Sequence, residues 1–577
     1  MATTMRTLRL RSLVNVRCYS TPTTSTNLLK KFYITTPIFY VNAAPHIGHL
    51  YSMLIADTRN RWEKLAPGRD GFMLTGTDEH GLKIQATAKS QGMEPKELVD
   101  KVSQNFAVLA EKLDIRYDRF IRTTDTDHVD VVKYFWNLMM EKGFIYTDTH
   151  GGWYSVSDET FYPETQIEEI EKNGQLVKVS TETRNEVVYQ EETNYFFKLS
   201  QFQDQLVEFL ESHPDFIKPS HRYRFILNEL KNNKLADLSI SRPSSRLEWS
   251  IEVPDDPSQK IYVWFDALLN YLTATGYPRA LNNELWPATH IIGKDIIRFH
   301  CIYWPIFLMA AGVELPTQVI VHSHWLCDGF KMSKSLGNVV DPIEISEYYG
   351  VDPVRFFLVE NSSIEDDCKF NSDLLQRSRD GLLGKYCNLM SRMGAKSFNI
   401  EESVEYYSTG KFDNIDDVLR DTTGSNATVV IDGARALISD LNNLHSKMDE
   451  HFKHFQYNKA IQEWWSVINQ ANAFFQSAEP WKYNELIKNA SSGAAKEKYQ
   501  TIKNYVTYLC ADTERICSIL IQPVMPVLTK KILDRLQVVD RTSAACKIGA
   551  EVGYGKDANS KKHGVPLEKI EPRPGSQ

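Results

Sequence analysis

The chain has 577 residues, with 42% hydrophobic residues, 24% charged residues and a formal net charge of −8. At roughly 100–200 residues per domain, this length holds about three or four domains. No apolar run reaches the roughly 20 residues that a membrane-spanning helix needs, so we expect no membrane insertion. The acidic balance excludes a uniformly basic surface, so a polyanionic partner would have to meet local basic patches.

The N-terminal segment is basic and lacks acids. No Asp or Glu precedes Asp57, and arginines occur among Ser, Thr and Leu at Arg6, Arg9, Arg11 and Arg17. This composition is typical of a mitochondrial transit peptide, which we place at residues 1–24, with the mitochondrial matrix as destination. A disordered basic tail is the alternative.

Strand and helix patterns alternate from residue 31 onward. Phe32–Thr36 and Phe72–Leu74 are predicted strands, and Pro37–Pro45 is a predicted loop. Helical spacing starts at His46 and returns in a segment that we read as helical throughout, Leu82–Leu113. This order predicts an α/β fold with a Rossmann-type, doubly wound parallel sheet, in which ligands bind at the carboxyl ends of the strands.

Residues 146–252 interrupt this strand–helix alternation with short β-like runs, acidic residues and turns. We interpret them as an insertion. Strands then resume at Ile261–Phe265, Thr289–Ile292 and Val319–His322, with an apolar helix at Phe299–Ala311 between the last two.

The rest of the chain is predicted to be helical. The predicted helices are Leu374–Met393, Val429–Met448, Tyr457–Gln476 and Tyr499–Leu520. We interpret the acidic, Ser/Thr/Asn-rich stretch at 401–426 as a loop or insertion, and we expect the residues after about Asp540 to be poorly ordered.

The first chemical motif is His46-Ile47-Gly48-His49, at a predicted helix start. A helix N-terminus favours phosphate, imidazoles can donate to phosphate oxygens, and a glycine allows close approach of a nucleotide. Two histidines at a helix start without a ligand are the alternative. Small-molecule nucleotidylyltransferases also use such a motif.

The second motif is Lys331-Met332-Ser333-Lys334-Ser335, which we call the lysine loop. Gly329 and Gly337 flank it, and its two lysines bring positive charge to a polyphosphate without fixed geometry. A solvated basic loop is the alternative.

The two motifs in this order, around an interrupted doubly wound fold, resemble the class I aminoacyl-tRNA synthetases. The resemblance implies that an amino-acid carboxylate attacks the α-phosphorus of ATP, which Mg²⁺ accompanies. A carboxylate is already ionised, so catalysis consists of positioning and charge stabilisation. The implied catalytic residues are His46, His49, Lys331 and Lys334, and the implied ATP-binding set adds Gly48, Gly293, Asp295 and Ser333.

The chain resembles the methionyl-tRNA synthetases of the mitochondrial kind in particular. This resemblance covers roughly Phe32 to Leu536. It rests on Thr35–Asn42, Thr75–Gly81, Val263–Ala267 and Ile292–Asp295. It implies that Asp78 pairs with the substrate ammonium. It also implies that the methionine pocket is lined by Ile38, Tyr40, Trp264, Ala267, Leu268, Tyr271, Ile296, His300 and Trp304. Each aromatic residue taken alone would be read as core.

The insertion departs from many members of that family, which carry zinc-binding cysteine pairs there. Ser155 and Asp158 stand where one pair would be expected, and no cysteine lies between Cys18 and Cys301. We therefore expect no structural zinc or other bound metal and a tip held by packing.

A polar pair on the first helix of the C-terminal half suggests RNA recognition. Asn388 and Arg392 are four residues apart, opposite an apolar face, and Trp481 further on could stack on a base. A solvated helix face is the alternative, but the resemblance implies that these three residues recognise the anticodon of tRNA(Met).

The sequence thus predicts a methionine-activating ligase with L-methionine, ATP and tRNA(Met) as partners, and a monomer. The predicted parts are transit peptide 1–24, catalytic halves 31–145 and 253–322, connective insertion 146–252, lysine-loop domain 323–372, all-α anticodon-binding bundle 373–540 and tail 541–577. The alternatives are a class I synthetase for leucine, isoleucine or valine, a nucleotidylyltransferase, and a non-catalytic RNA-binding module.

Overall fold

The structure is a computed structural model that describes residues 30–158, 160–172, 175–279, 281, 284–327, 329–332, 338–423, 426–560 and 562–571. The predicted transit peptide and three lysine-loop residues, Ser333, Lys334 and Ser335, lie outside the described residues. Within the described part of the chain, no helix combines the length and apolar character needed to cross a membrane.

The strands follow one another along the chain in short segments. They are β1 (Phe32–Tyr40), β2 (Gly71–Asp78), β3 (Arg119–Arg122), β4 (Ile145–Ser155), β5 (Thr160–Tyr162), β6 (Ile167–Lys172), β7 (Gln175–Ser180), β8 (Val188–Phe197), β9 (Ile217–Lys218), β10 (Leu238–Ser239), β11 (Ser241–Pro243), β12 (Glu252–Val253), β13 (Asp256–Ile261), β14 (Thr289–Gly293), β15 (Gln318–His322), β16 (Trp325–Cys327), β17 (Phe330–Lys331) and β18 (Cys368–Phe370).

The three longest α-helices of the described residues lie in the second half of the chain. The α-helices are α1 (Ile47–Leu65), α2 (Leu82–Gln91), α3 (Pro95–Lys112), α4 (Thr126–Glu141), α5 (Gln203–Ser212), α6 (Ser220–Asn232), α7 (Val263–Ala267), α8 (Asn270–Thr273), α9 (Trp304–Ala311), α10 (Pro342–Tyr349), α11 (Val351–Glu360), α12 (Ser372–Gly381), α13 (Asn388–Met393), α14 (Ile400–Ser408), α15 (Ile415–Thr423), α16 (Ala427–Lys453), α17 (Tyr457–Ala478), α18 (Tyr483–Lys488), α19 (Gly493–Ile521) and α20 (Pro526–Leu536).

The catalytic half is built on a parallel sheet with strand order β3-β2-β1-β14-β15-β9. Helices cover it, so its central strands are apolar on both faces; Ile34, Ile291 and Val321 are fully buried. The predicted doubly wound α/β fold is therefore confirmed. β9 shows that part of the predicted insertion returns to this sheet, beside β15.

The first strand is longer than predicted. β1 continues through Pro37 to Tyr40, where a loop was expected, and its pairing with β2 shifts register between Thr35 and Ile38. Pro37 has no N–H to donate to the ladder, so an irregularity here is its physical consequence. On β2, a side chain at Gly76 would clash with the carbonyl of Ile121, so only glycine fits the close approach of β3.

The predicted strand at Ile261–Phe265 is wrong. β13 ends at Ile261, and the short helix α7 begins at Val263. A short apolar run has no period that separates strand from helix. The predicted unbroken helix at Leu82–Leu113 is likewise two helices, since α2 ends at Gly92 in a left-handed conformation.

The tip of the insertion is closed by hydrogen bonds rather than by packing alone, which corrects the prediction. The Asp158 carboxylate accepts from Thr183 Oγ1 at 2.6 Å and from Asn185 Nδ2 at 2.7 Å. The Asp158 amide donates to Ser155 Oγ, and the Thr183 amide donates to Ser180 Oγ. Residues 155–158 and 180–183 thus form two facing turns. In each turn the two named side chains are three positions apart, as the two cysteines of a zinc knuckle are. We call these four side chains the polar knuckle: Ser155, Asp158, Ser180 and Thr183.

The C-terminal half is a bundle in which α19 is buried along most of its length. The predicted loop at 401–426 is wrong, because α14 and α15 lie in it and pack against α19. The expectation of a poorly ordered tail is also wrong for the described residues: Cys546, Tyr554 and Ala558 are buried, and the Tyr554 hydroxyl donates to Asp512.

A buried arginine joins the two halves. Arg355 of α11 donates to the carboxylate of Asp57 on α1 at 2.6 Å. It also donates to four backbone carbonyls, those of Leu113, Asp114, Pro523 and Val524. Both charged side chains are fully buried.

We expect Arg355→Met to destabilise the folded chain by about 3–5 kcal/mol, since it leaves a buried carboxylate with a lost partner and orphans several carbonyls. Urea and thermal unfolding would measure this change. The matched control is Lys530→Met, which breaks the exposed pair with Asp534 and should cost less than about 1 kcal/mol. Equal effects of the two substitutions would contradict the role of Arg355.

Candidate active site and anticodon surface

His46 and His49 begin α1 at the carboxyl edge of the parallel sheet, and their rings stack at 3.9 Å. His46 caps the helix, because its Nδ1 accepts from the Gly48 amide at 3.0 Å. The His46 amide in turn donates to His49 Nδ1 at 3.0 Å. A side chain at position 48 would meet the His46 ring at 2.9 Å, so the cap itself requires glycine.

These contacts define which nitrogen of each histidine carries a proton. Both Nδ1 atoms accept hydrogen bonds, so in the neutral rings the proton sits on Nε2. Burial lowers the pKa of His49 well below its usual value, and the neighbouring His46 adds to this effect. The pair therefore offers neutral N–H donors at a helix N-terminus, a site suited to phosphate.

Phe39 of β1 packs against the His49 ring at 5.3 Å, and the two residues before it, Pro37 and Ile38, belong to a pocket. It is lined by Pro37, Ile38, Asp78, Trp264, Ala267, Leu268, Asn270, Tyr271, Ile296 and His300. Eight of the residues that the sequence assigned to methionine are thus brought together. Tyr40 lies next to Asp78 across β1 and β2, and Trp304 is fully buried against Tyr271.

A hydrogen-bonded chain of rings supports the pocket. The Tyr271 hydroxyl lies 2.7 Å from His300 Nε2, and His300 Nδ1 lies 3.0 Å from the Ile296 carbonyl. His300 therefore donates from Nδ1 and accepts from Tyr271. Burial lowers the pKa of His300 to about 4, which keeps the ring neutral. Trp264 stacks on Phe299 at 3.7 Å and forms the opposite wall.

Asp78 is the last residue of β2, and the next residue, Glu79, fixes the backbone at this point. The buried Glu79 carboxylate accepts from Arg122 Nε at 2.6 Å and from the hydroxyls of Thr77 and Thr124. Trp249 Nε1 donates to the Glu79 carbonyl, so the backbone is fixed as well. Asp78 is thus the one acid among the residues that line this largely apolar pocket, and its backbone is held by these contacts.

The ends of β14 and β15 form the other side of the site. Asp295 follows Gly293 and lies 3.0 Å from His324 Nε2, while Lys294 pairs with Asp367 at 2.7 Å. His322 Nε2 lies 2.8 Å from Ser52 Oγ on α1. These contacts connect the strand ends, where the sequence placed adenosine, to the helix that carries the two histidines.

The structure describes only part of the lysine loop. β17 contains Lys331 and pairs with β16, the strand that follows β15 along the chain. The side chain of Lys331 and the whole of Ser333 and Lys334 lie outside the described residues. The phosphate roles of these residues stay predictions.

In the helical half, Arg392 and Trp481 meet around Phe475. The Arg392 guanidinium lies 6.0 Å from the centre of the Phe475 ring, and the Trp481 ring lies 5.9 Å from it. Trp481 is 38% exposed, and Asn388 lies one helical turn before Arg392. A cation, an amide and an exposed aromatic ring on one surface suit splayed bases.

Sequence reasoning missed several residues of the site. Asn270 lines the pocket beside Tyr271, and its Nδ2 donates to the Ala267 carbonyl at 2.6 Å. His290 accepts from Trp304 Nε1 at 3.1 Å and so donates from Nδ1 to Thr35 at 2.8 Å. In the sequence, each of these two residues is a polar residue within an apolar segment. That pattern points to a site only when the neighbouring elements are known.

Comparison with known proteins agrees with this geometry. Residues 32–394 match the family described as tRNA synthetases class I (M), and residues 434–553 match the anticodon-binding domain of tRNA ligases. Fold and site thus define a class I aminoacyl-tRNA synthetase. The mitochondrial methionine–tRNA ligase of Candida albicans is 69% identical over 94% of this chain and 96% of that protein. The chain belongs to the mitochondrial methionine–tRNA ligase family.

More distant relatives give the same result. The human mitochondrial methionine–tRNA ligase is 41% identical, over 88% of this chain and 84% of that protein. A crystal structure of Mycobacterium tuberculosis methionyl-tRNA synthetase bound by methionyl-adenylate has a TM-score of 0.78 and 35% identity. The match covers 91% of this chain and 98% of that chain.

Buried neutral histidines make stability depend on pH. Burial lowers the pKa of His322 to about 4, so between 6.5 and 4 the unfolded chain binds a proton that the folded chain does not. Stability should therefore fall as pH falls through this window, by up to about 3 kcal/mol for this group. We expect His322→Gln, whose amide oxygen can accept from the Ser52 hydroxyl as Nε2 does, to flatten the slope in urea unfolding between pH 4 and 7. An unchanged slope would contradict this assignment.

Proposed function

We propose that this chain activates L-methionine with ATP and transfers it to tRNA(Met), as a methionine–tRNA ligase of mitochondrial translation. The methionine carboxylate attacks the α-phosphorus of ATP and pyrophosphate leaves. A ribose hydroxyl of the terminal adenosine of the tRNA then attacks the methionyl carbonyl, and AMP leaves. The observation that carries the proposal is the combination of a largely apolar pocket that contains one acid, Asp78, with the stacked His46 and His49, whose helix follows the pocket strand β1.

The pocket suits a thin, apolar side chain with an ammonium at its open end. Asp78 pairs with the ammonium, and the thioether lies among the aromatic and aliphatic walls. The proposed methionine-binding residues are Ile38, Tyr40, Asp78, Trp264, Ala267, Leu268, Tyr271, Ile296, His300 and Trp304. A single methylene in such a pocket is worth only about 1–3 kcal/mol, so shape alone gives limited selectivity.

Phosphate binding is assigned to the helix start and the lysine loop. His46 and His49 donate to phosphate oxygens, Gly48 permits close approach, and Lys331, Ser333 and Lys334 stabilise charge as pyrophosphate departs. Gly293 and Asp295 face the adenosine. ATP enters as its Mg²⁺ complex, in which the cation offsets part of the phosphate charge.

The helical bundle is assigned to the anticodon, through Asn388, Arg392 and Trp481. We propose that the parts of the chain end at residues 24, 145, 252, 322, 372 and 540. Strand β9, which lies in the insertion, pairs with β15 of the catalytic sheet. We further propose a cleaved transit peptide, function in the mitochondrial matrix, a monomeric enzyme and a connective tip that needs no zinc.

The decisive experiment is ATP–pyrophosphate exchange across the twenty amino acids, with the chain purified without residues 1–24. Exchange with methionine alone is expected. Exchange with leucine, isoleucine or valine would keep the class and overturn the pocket assignment. No exchange with any amino acid would favour a non-catalytic RNA-binding module.

Replacing Trp481 should separate the two half-reactions. Because a stacked base is worth about 1–3 kcal/mol, Trp481→Ala should lower kcat/KM for tRNA about 5- to 150-fold. ATP–pyrophosphate exchange should be unchanged, since the residue lies in the helical half. Trp481→Phe keeps a ring and should recover most of the loss.

The matched control is Tyr134→Ala, which removes an exposed aromatic ring from α4. It should leave both half-reactions intact. If Trp481→Ala lowered exchange and charging equally, the residue would belong to the core of the bundle rather than to a tRNA-binding surface.

A further inference from the structure

Asp266 is a fully buried acid beside the pocket that no step of the proposed reaction uses. It lies on α7 between Trp264 and Ala267, which both line the pocket. Its Oδ2 is 2.7 Å from His80 Nδ1, and its Oδ1 is 2.7 Å from His128 Nε2. Each carboxylate oxygen therefore has its own histidine.

The two histidines belong to two different elements. His80 lies two residues after Asp78, in the loop that follows β2, and its ring packs against Trp249. His128 is fully buried on α4. Asp266 thus connects three parts of the catalytic domain: α4, the loop directly after Asp78, and α7, which carries Trp264.

Hydrogen-bond roles show why a carboxylate is needed. Carboxylate oxygens only accept, so His80 Nδ1 and His128 Nε2 both donate to Asp266. On its other side, His128 Nδ1 lies 3.1 Å from the Thr273 hydroxyl, whose oxygen is 3.0 Å from the Leu269 carbonyl. Burial acts to raise the pKa of Asp266, but the two histidines outweigh it and lower the pKa overall.

We propose that Asp266 is a positioning residue for methionine activation, which holds Asp78 and Trp264 in register by accepting hydrogen bonds from His80 and His128. Next to Asp78, Glu79 is bound to Arg122. The residue after Glu79, His80, is bound to Asp266, so two consecutive anchors fix the backbone directly after the ammonium-binding acid. This assignment rests on the proposed function, because it concerns the methionine pocket.

Asp266→Asn tests the proposal with almost no change in size. An amide oxygen can accept from one histidine, but the amide nitrogen cannot accept from the other, so one tie is lost. We expect KM for methionine to rise about 10-fold or more, with kcat and KM for ATP within about threefold, because positioning errors weaken the bound geometry.

A second readout separates positioning from general damage. The methionine analogue that lacks the amino group cannot pair with Asp78. In the unmodified chain methionine should bind much more tightly than this analogue; in Asp266→Asn the ratio of the two affinities should shrink. Loss of folded protein would lower both signals and leave that ratio unchanged.

Two sets of variants serve as controls. Asp512→Asn removes another fully buried carboxylate, paired with Arg515 in the helical bundle, and should reduce stability without a methionine-specific effect. His80→Asn places an amide nitrogen where Nδ1 lies and should keep most of the affinity for methionine. His80→Leu, which cannot donate, should resemble Asp266→Asn.

The outcomes distinguish this proposal from the proposed function. If the unmodified chain shows no exchange with methionine, the proposed function itself fails. If it exchanges normally and Asp266→Asn keeps both its KM for methionine and its discrimination against the analogue, the positioning role of Asp266 is wrong.

Discussion

The ion pair between Arg355 and Asp57 is the contact on which the relation between the two halves depends. Asp57 sits in the middle of α1, the helix whose first turn carries His46 and His49. Arg355 adds hydrogen bonds to the residues that follow the C-terminal end of α3 and to the turn between α19 and α20. Because a buried charge requires its partner, the helix that begins at the two histidines is fixed relative to the bundle.

Further contacts reinforce this coupling along the same helix. Trp62 stacks on Phe452 of α16 at 4.1 Å and donates to Asp449, while the Tyr457 hydroxyl donates to the Ile55 carbonyl. The helix that positions His46 and His49 therefore also packs against the helical bundle. A shift of α16 or α17 would act on α1 directly, with no intervening loop.

The sequence predicted those features that depend on local pattern. The parallel sheet, the two histidines at a helix start and Asp78 at a strand end follow from β-loop-α alternation and from the rule that ligands meet strand ends. It failed where periodicity is absent or misleading. α7 was read as a strand because five apolar residues fit either form, and α14 was read as a loop because acids and Asn399, its N-cap, masked the buried Ile400 and Val404. The pairs Asp266–His128, Arg355–Asp57 and His290–Thr35 could not be predicted, because each joins residues more than a hundred positions apart.

The polar knuckle shows how a tip can be closed with oxygen and nitrogen atoms alone. Asp158 gathers two side-chain donors, and the serines accept from the backbone of the facing turns. A closure of this kind forms as the chain folds, without waiting for an ion to be delivered. The sequence has no cysteine between Cys18 and Cys301, so the tip offers no thiolate for peroxide to oxidise. Hydrogen bonds thus close the tip without the oxidation-sensitive side chains of a cysteine knuckle.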